Sequence, residues 1–324
     1  MAWKIIGVGL MLEEFAAWLV YSVLSLPQGA FSESAVFFVA DVIKVTLLLA
    51  VVVFAVGIAR TFVTPQKVKK WLGGRREGVG NLMAALLGVP TPFCSCSAVP
   101  LFIGFVEAGV PLGVTFSFLI ASPLINEIAV ALLWGMFGWH IALLYIVSGL
   151  VIATVAGIVI GRLGLEGEVE KVRATKAKKQ MNRKMSWNAR VEFALAESKS
   201  ITLRVLPYLV LGIGIGALIH GYAPSDLLSS IAGRDNLLAV PIAVLIGIPL
   251  YSNAAGMVPV LGVLVSKGMA MGTALAFMMS VIGLSFPEMV ILRRVIKPKL
   301  IAVFALVLFI AFTLTGYLFN AVLG

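Results

Sequence analysis

Long apolar blocks separated by short polar stretches run through almost the whole chain. A block of about 20 apolar residues is enough to carry a helix across the hydrocarbon core of a bilayer. Such blocks occupy 36–63, 80–108, 111–135 and 138–161, and again 200–222, 237–265, 269–292 and 299–322. An earlier block, 3–26, is long enough to span but carries Glu13 and Glu14 in its middle. A charge at mid-bilayer costs about 2.5–3.5 kcal/mol on insertion scales. The segment therefore either packs those acids against other helices or lies at the interface, and both options stay open. The fold class predicted is an all-α polytopic membrane protein.

Two blocks are interrupted. Gly88-Val-Pro-Thr-Pro-Phe-Cys-Ser-Cys-Ser-Ala-Val-Pro100 places prolines at 90, 92 and 100, which no single regular helix accommodates. Irregular backbone at membrane depth persists only where it is buried in protein or lines a cavity. The stretch reads as a broken helix that builds a site. Ser122-Pro-Leu-Ile-Asn-Glu127 is a second break, this one followed by an acid.

Composition sharpens the class. The 324 residues are 60% hydrophobic and 12% charged, with a mean hydropathy of +1.06; a soluble domain carries about twice that charged share. The net charge of +10 suggests nucleic acid only until it is located. Most of it falls in 67–76, in the linker 162–191 and in 293–299, as in cytoplasmic loops. No nucleic-acid partner is expected. The first block shows no small-residue cleavage site, so no cleavable signal is expected either. Asp41 and Lys44 share a helix face and read as a neutralising pair. Arg204, His140, His220 and Glu107 fall near predicted helix ends or possible partners and read as structural or interfacial.

The chain is internally duplicated. A shift of 159 residues maps Gly74-Arg75 onto Gly233-Arg234, Gly88 onto Gly247, Pro90 onto Pro249, Pro100 onto Pro259, Gly109 onto Gly268, Gly113 onto Gly272 and Phe118 onto Phe277. Repeats of this kind mark transporter folds whose sites lie at broken helices near the midplane. Were all four blocks of a half to cross, the basic loops 67–76 and 171–190 would lie on opposite sides, against the positive-inside rule. If the proline-split block of each half (80–108 and 237–265) is re-entrant, every basic loop is cytoplasmic and the halves are inverted. The expected order is an N-terminal membrane or interfacial helix (1–34), transmembrane repeat 1 (35–162), a basic cytoplasmic linker (163–191) and transmembrane repeat 2 (192–324).

One half serves as a control for the other. Cys94, Ser95, Cys96 and Ser97 align with Asn253, Ala254, Ala255 and Gly256, so the backbone break is duplicated and the thiols are not. Free cysteines are often plain packing residues. Two thiols one residue apart on non-helical backbone can instead meet one soft centre, such as Cu(I), zinc or a trivalent metalloid. The candidate substrate site is Cys94, Cys96, Ser95 and Ser97 with the facing Ser252 and Asn253, and the thiols double as a candidate metal pair. Intramembrane acids are functional candidates by default, which adds Glu127, beside Asn126, and Glu288 as coupling groups. Pro90, Pro100, Pro249 and Pro259 are the candidate gating positions. No nucleotide-binding motif occurs and no cofactor is expected.

The run Pro90–Pro100, with Gly109-Val-Pro111 and Ser122-Pro123…Asn126, resembles the signature of the ArsP-type organoarsenical permeases and YraQ-like permeases, over roughly 36–322. The resemblance implies a polytopic inner-membrane permease and, in the arsenical branch, efflux of trivalent organoarsenicals through thiols at Cys94 and Cys96. The family is wider than that branch. The expected function is a secondary transporter of a small thiophilic solute, not an enzyme, with a small-molecule substrate and the bilayer as partners and self-association open. Rival readings are transport of a small thiol, disulfide or sulfur compound by exchange, a membrane thiol–disulfide redox protein, and a channel.

Overall fold

The computed structural model describes residues 12, 14–25, 27, 29–60, 78–89, 98, 101–102, 104–106, 109–169, 186–222, 236, 238–250, 254–266, 268–293 and 295–323. The helices are α1 (Ala30–Arg60), α2 (Val79–Gly88), α3 (Leu112–Leu124), α4 (Glu127–Phe137), α5 (Trp139–Arg162), α6 (Trp187–Tyr222), α7 (Ala239–Gly247), α8 (Ala254–Ser266), α9 (Met271–Gly283), α10 (Phe286–Leu292) and α11 (Pro298–Leu323). Among the described residues the sole extended pairing is an isolated antiparallel bridge, Val169–Ile296.

Element ends follow local chemistry. Asn126 caps α4, its side chain accepting from the Ile128 amide at 2.7 Å. Gly109 closes the helical turn Gly104–Val106, with the Val110 amide donating to the Phe105 carbonyl at 3.0 Å. Gly268 closes α8 in the same way, with Met269 donating to Leu264 at 3.1 Å. Both glycines have positive φ, 77° and 99°, the left-handed cap that a Cβ disfavours. The two caps are 159 residues apart. Leu112–Leu124 shifts by the same interval onto Met271–Gly283, and the starts of α4 and α5 shift onto those of α10 and α11.

Packing is duplicated too. All of α3 and nearly all of α9 is buried, as expected of helices that are apolar all round. Close approach is made by glycine: a Cβ on Gly113 would strike the Gly157 carbonyl of α5, and one on Gly272 would strike the Gly316 carbonyl of α11. A Cβ on Gly88 would lie 3.1 Å from that of Ala121, and one on Gly247 2.9 Å from that of Ser280. The outer faces match as well. Val147, Val151, Val155, Val159 and Leu163 form one exposed stripe, and Leu306, Ile310, Leu314, Leu318 and Val322, 159 residues on, form another. Contiguous apolar surface of this extent is covered by lipid. By length and composition Trp139–Arg162, Met271–Val290 and Pro298–Leu323 are each long enough to cross, and α3 with α4, bent by 45°, makes a fourth candidate among the described residues.

Contacts between the halves fix the core. The Phe116 ring of α3 lies 5.5 Å from that of Phe304 in α11. Leu124, at the end of α3, packs near Gly283, at the end of α9. Ser198 of α6 donates to the Ala50 carbonyl of α1 at 2.7 Å, and a Cβ on Gly214 would lie 3.6 Å from the Phe38 ring.

Two expectations shift. The helix expected at 36–63 starts earlier, at Ala30, and is described as far as Arg60, with 61–63 outside the described residues. The linker expected to reach 191 gives way to helix at Trp187, so the segment expected at 200–222 begins earlier. Its first turns, with Arg190, Glu192 and Lys199, are polar and largely solvent-facing, which reads as loop when charge alone is considered. Of 3–26, the described residues include a helix over Glu14–Val23, while 3–11, 13 and 26 lie outside the described residues.

Candidate functional site

Four interruptions converge. The end of α2 at Gly88 packs on Ala121 and Ser122 in the last turns of α3. The end of α7 at Gly247 packs on Ser280 of α9, whose hydroxyl donates to the Val244 carbonyl at 2.6 Å. The ends of α3 and α9 meet through Leu124 and Gly283. The Phe286 amide, in the α9–α10 break, donates to the Ile248 carbonyl just past α7, at 2.9 Å. Thirteen residues of helix are about 20 Å long, short of the ~30 Å core, so neither α3 nor α9 is long enough to cross it alone.

The two halves finish these breaks differently. Tyr145, fully buried on α5, donates its hydroxyl to the Leu124 carbonyl at 2.9 Å and satisfies an orphan acceptor at the end of α3. Its equivalent on α11, 159 residues on, is Phe304, which has nothing to donate. The second break instead holds Ser285 and Glu288, each only 1% exposed. Their spacing is that of a capping box, yet the Ser285 hydroxyl has no hydrogen-bond partner.

The two candidate acids are not equivalents. α4 begins at Glu127 and α10 at Phe286, so the 159-residue register pairs Glu127 with Phe286 and Ala129 with Glu288. Two residues on a helix are about 200° of rotation. Glu127 and Phe286 are accordingly exposed, while Ala129 and Glu288 are buried. Asn126 is occupied as the α4 cap.

Cys94, Ser95, Cys96, Ser97, Pro90, Pro100, Ser252 and Asn253 lie outside the described residues, as does Glu107. The segments that contain them leave from Val89 and Leu250, at the ends of α2 and α7. Pro249 is exposed just past α7, and Pro259 lies within α8. His140 stacks on Trp139 at the start of α5, an interfacial placement. The side chains of Asp41, Arg204 and His220 lie outside the described residues, and Lys44 is half-buried on α1. Among the described residues no three His, Cys, Asp or Glu side chains cluster as metal ligands do.

Sequence reasoning missed the polar ties that hold each half rigid. Asn81 of α2 donates to the Ser117 hydroxyl of α3 at 3.0 Å, and that hydroxyl donates to the Gly113 carbonyl at 3.2 Å. In the other half, Asn320 of α11 donates to Thr273 of α9 at 3.0 Å and accepts from the Thr273 amide at 3.2 Å. The available signal was a lone amide inside an apolar block, since an unpaired polar group in hydrocarbon costs several kcal/mol.

Lipid-facing stripes, half-length buried helices and converging breaks define a multi-pass membrane protein of the permease class. Comparison with known proteins agrees: the chain belongs to the ArsP_1 family of predicted permeases, whose model matches residues 30–321. It is 23% identical to the UPF0718 protein MJ0584 of Methanocaldococcus jannaschii over 87% of this chain and 93% of that one. A protein of Streptococcus mutans, named as a candidate subunit of a two-component membrane permease complex, is 27% identical over 59% of this chain and 63% of its own. YraQ of Escherichia coli is 22% identical over 70% of this chain and 63% of its own. No solved structure matches the chain.

Proposed function

We propose that this protein is a secondary transporter, not an enzyme, built from two inverted repeats, 35–162 and 192–324. It carries a small thiophilic solute of the trivalent organoarsenical or soft-metal kind out of the cell across the inner, or plasma, membrane. The 1–34 segment is an N-terminal membrane or interfacial helix, and 163–191 joins the two repeats on the cytoplasmic side.

Helix direction is the observation that carries the inversion. Gly272 of α9 meets Gly316 and Asn320 of α11, Gly283 meets Phe312, and Phe304 passes on to Phe116 of α3. One long helix thus runs past the end of α9 and along α3, which supports α3 and α9 approaching each other end to end. α1 and α6, which correspond by the same shift, run in opposite directions, since Ala50 meets Ser198 while Phe38 meets Gly214. Helices that correspond by sequence and oppose in direction are what an inverted repeat requires.

Sidedness has its own support. The end of α5 is tied to the start of α11: the Lys297 amide donates to the Glu168 carbonyl at 2.8 Å and its ammonium to the Gly167 carbonyl at 3.1 Å. This tie supports a basic linker and a basic segment 293–299 on one membrane face, which the positive-inside rule makes cytoplasmic. Met136 against Gly262 puts the α4–α5 turn, free of Lys and Arg, beside the far end of α8.

In this reading Cys94 and Cys96 grip the cargo, Ser95, Ser97, Ser252 and Asn253 complete its site, and Pro90, Pro100, Pro249 and Pro259 keep the breaks open for gating. Asn126, Glu127 and Glu288 are the coupling candidates at the second pair of breaks. The complex-subunit name of the Streptococcus mutans relative leaves room for either self-association or a second chain. The test is counterflow in proteoliposomes, using phenylarsine oxide as a trivalent organoarsenical. Unlabelled solute on one side is expected to drive labelled solute uphill, and Cys94→Ser with Cys96→Ser to abolish this. Full counterflow by the double variant would remove the thiols from the site.

A further inference from the structure

We infer that the α9–α10 break is the moving hinge of the transport cycle: α10 swings about Leu284–Ser285 while the equivalent α3–α4 break stays fixed. This rests on the transporter reading and says which half supplies the motion. The two breaks are one construction 159 residues apart, so each tie at the first has a counterpart position at the second. At the first, Tyr145 donates to the Leu124 carbonyl at 2.9 Å, and the Asn126 side chain accepts from the Ile128 amide at 2.7 Å. At the second, Phe304 replaces Tyr145 and has no hydroxyl, while Pro287 replaces Ile128 and has no amide hydrogen. Both ties are chemically impossible there. Ser285, the counterpart of Asn126, is left as a cap residue whose buried hydroxyl has no partner.

Backbone and packing differ in the same sense. Ile125, between α3 and α4, has φ −103° and ψ 70°, and the two helices are bent by 45°. Its counterpart Leu284 has φ −137° and ψ 21°, and Met271–Val290 runs through the break as one candidate span. The joint thus has two backbone solutions within the same fold. α4 packs along α5 of its own half, where a Cβ on Gly149 would lie 2.8 Å from Ile125. α10 packs instead against α6.

The motion has a route to the cargo segment. The Phe286 amide, at the start of α10, donates to the Ile248 carbonyl just past α7 at 2.9 Å. Ile248 lies four residues before Ser252, so the swinging helix holds the root of the segment assigned to face the thiols. Pro287 fixes φ within α10 only, which leaves the freedom at the two non-helical residues before that helix, Leu284 and Ser285. Thiols in one half and the hinge in the other divide grip and motion between the repeats.

The test reads equivalent positions of the two halves in one full-length molecule in lipid nanodiscs. The Val130 amide donates to the Asn126 carbonyl at 3.0 Å and the Met289 amide to the Ser285 carbonyl at 3.2 Å, a matched bond in the first turn of each helix. Hydrogen exchange at residue resolution is expected to show Met289 at least about tenfold faster than Val130, the worth of one or two hydrogen bonds in a local opening. Spin labels then go on two exposed pairs in the same register, Trp134→Cys with Val147→Cys and Arg293→Cys with Leu306→Cys, in a background lacking Cys94 and Cys96. A single narrow distance is expected for 134–147 and two populations for 293–306. Pro287→Ala restores the missing amide, so it is expected to slow Met289 exchange to the Val130 rate and merge the 293–306 populations. Adding Ser285→Ala should restore the fast exchange. With both thiols present, Pro287→Ala is expected to cut counterflow of phenylarsine oxide at least tenfold. Equal protection of Met289 and Val130 in wild type, a single 293–306 distance, or unchanged exchange in Pro287→Ala overturns the hinge. Full counterflow by a rigidified Pro287→Ala overturns its part in transport. If wild type shows no counterflow of this solute, the cargo reading fails, while exchange and label distances still decide the hinge.

Discussion

Tyr145→Phe is the cleanest probe of how a broken helix is held inside this membrane protein. The substitution removes one oxygen and leaves a fully buried ring in place, so packing is unchanged and only the 2.9 Å bond to the Leu124 carbonyl is lost. Leaving a buried acceptor unsatisfied costs about 1–3 kcal/mol, whereas side-chain bonds between membrane helices average about 0.6 and reach about 1.7 kcal/mol. The two ranges overlap near 1–1.7 kcal/mol, a roughly 5–20-fold rise in the unfolded-to-folded ratio. Unfolding of purified protein by SDS titration in mixed micelles reads this directly as an earlier midpoint at unchanged slope. The reciprocal change, Phe304→Tyr, adds a hydroxyl to a fully packed ring 5.5 Å from Phe116 and should destabilise by overpacking, about 1–3 kcal/mol. A wild-type midpoint for Tyr145→Phe would refute the claim that this hydroxyl holds the α3 end.

Gly316→Val should cost about 3 kcal/mol or prevent folding, because its Cβ would already lie 2.5 Å from Val240 and 2.8 Å from Ala276; expression and detergent-resistant folded yield report this. Lys297→Ala should change stability by less than about 1 kcal/mol, since its 3.7 Å ion pair with Glu168 is between side chains 48% and 25% exposed. In a background lacking Cys94 and Cys96, single cysteines at Glu166 and Lys299 should both react with an impermeant maleimide only when the cytoplasmic face is open, and one at Trp139 only from the opposite side.

Membrane class, the duplication and the places of the breaks were legible because each depends on residues near in sequence. Apolar blocks, prolines and the paired Gly109 and Gly268 caps sit in one ungapped register. What escaped depends on helical phase and on distant partners. The two-residue displacement between Glu127 and Glu288 is legible in the sequence, but not that it turns one to the surface and the other inward. Tyr145 is one aromatic among many until Leu124, 21 residues away, is seen to need a donor. The charged start of α6 resembled linker because solvent-facing first turns share the composition of a loop.

Cysteine cross-linking across the two interrupted hairpins is the most direct measure of the central arrangement. With Cys96→Ser leaving Cys94 alone and Ser252→Cys placed on the facing segment, a short thiol-specific cross-linker should join 94 to 252 within one chain in native membranes. No cross-link, with Cys94 instead labelled by a lipid-soluble maleimide, would contradict a thiol site formed where the two halves meet.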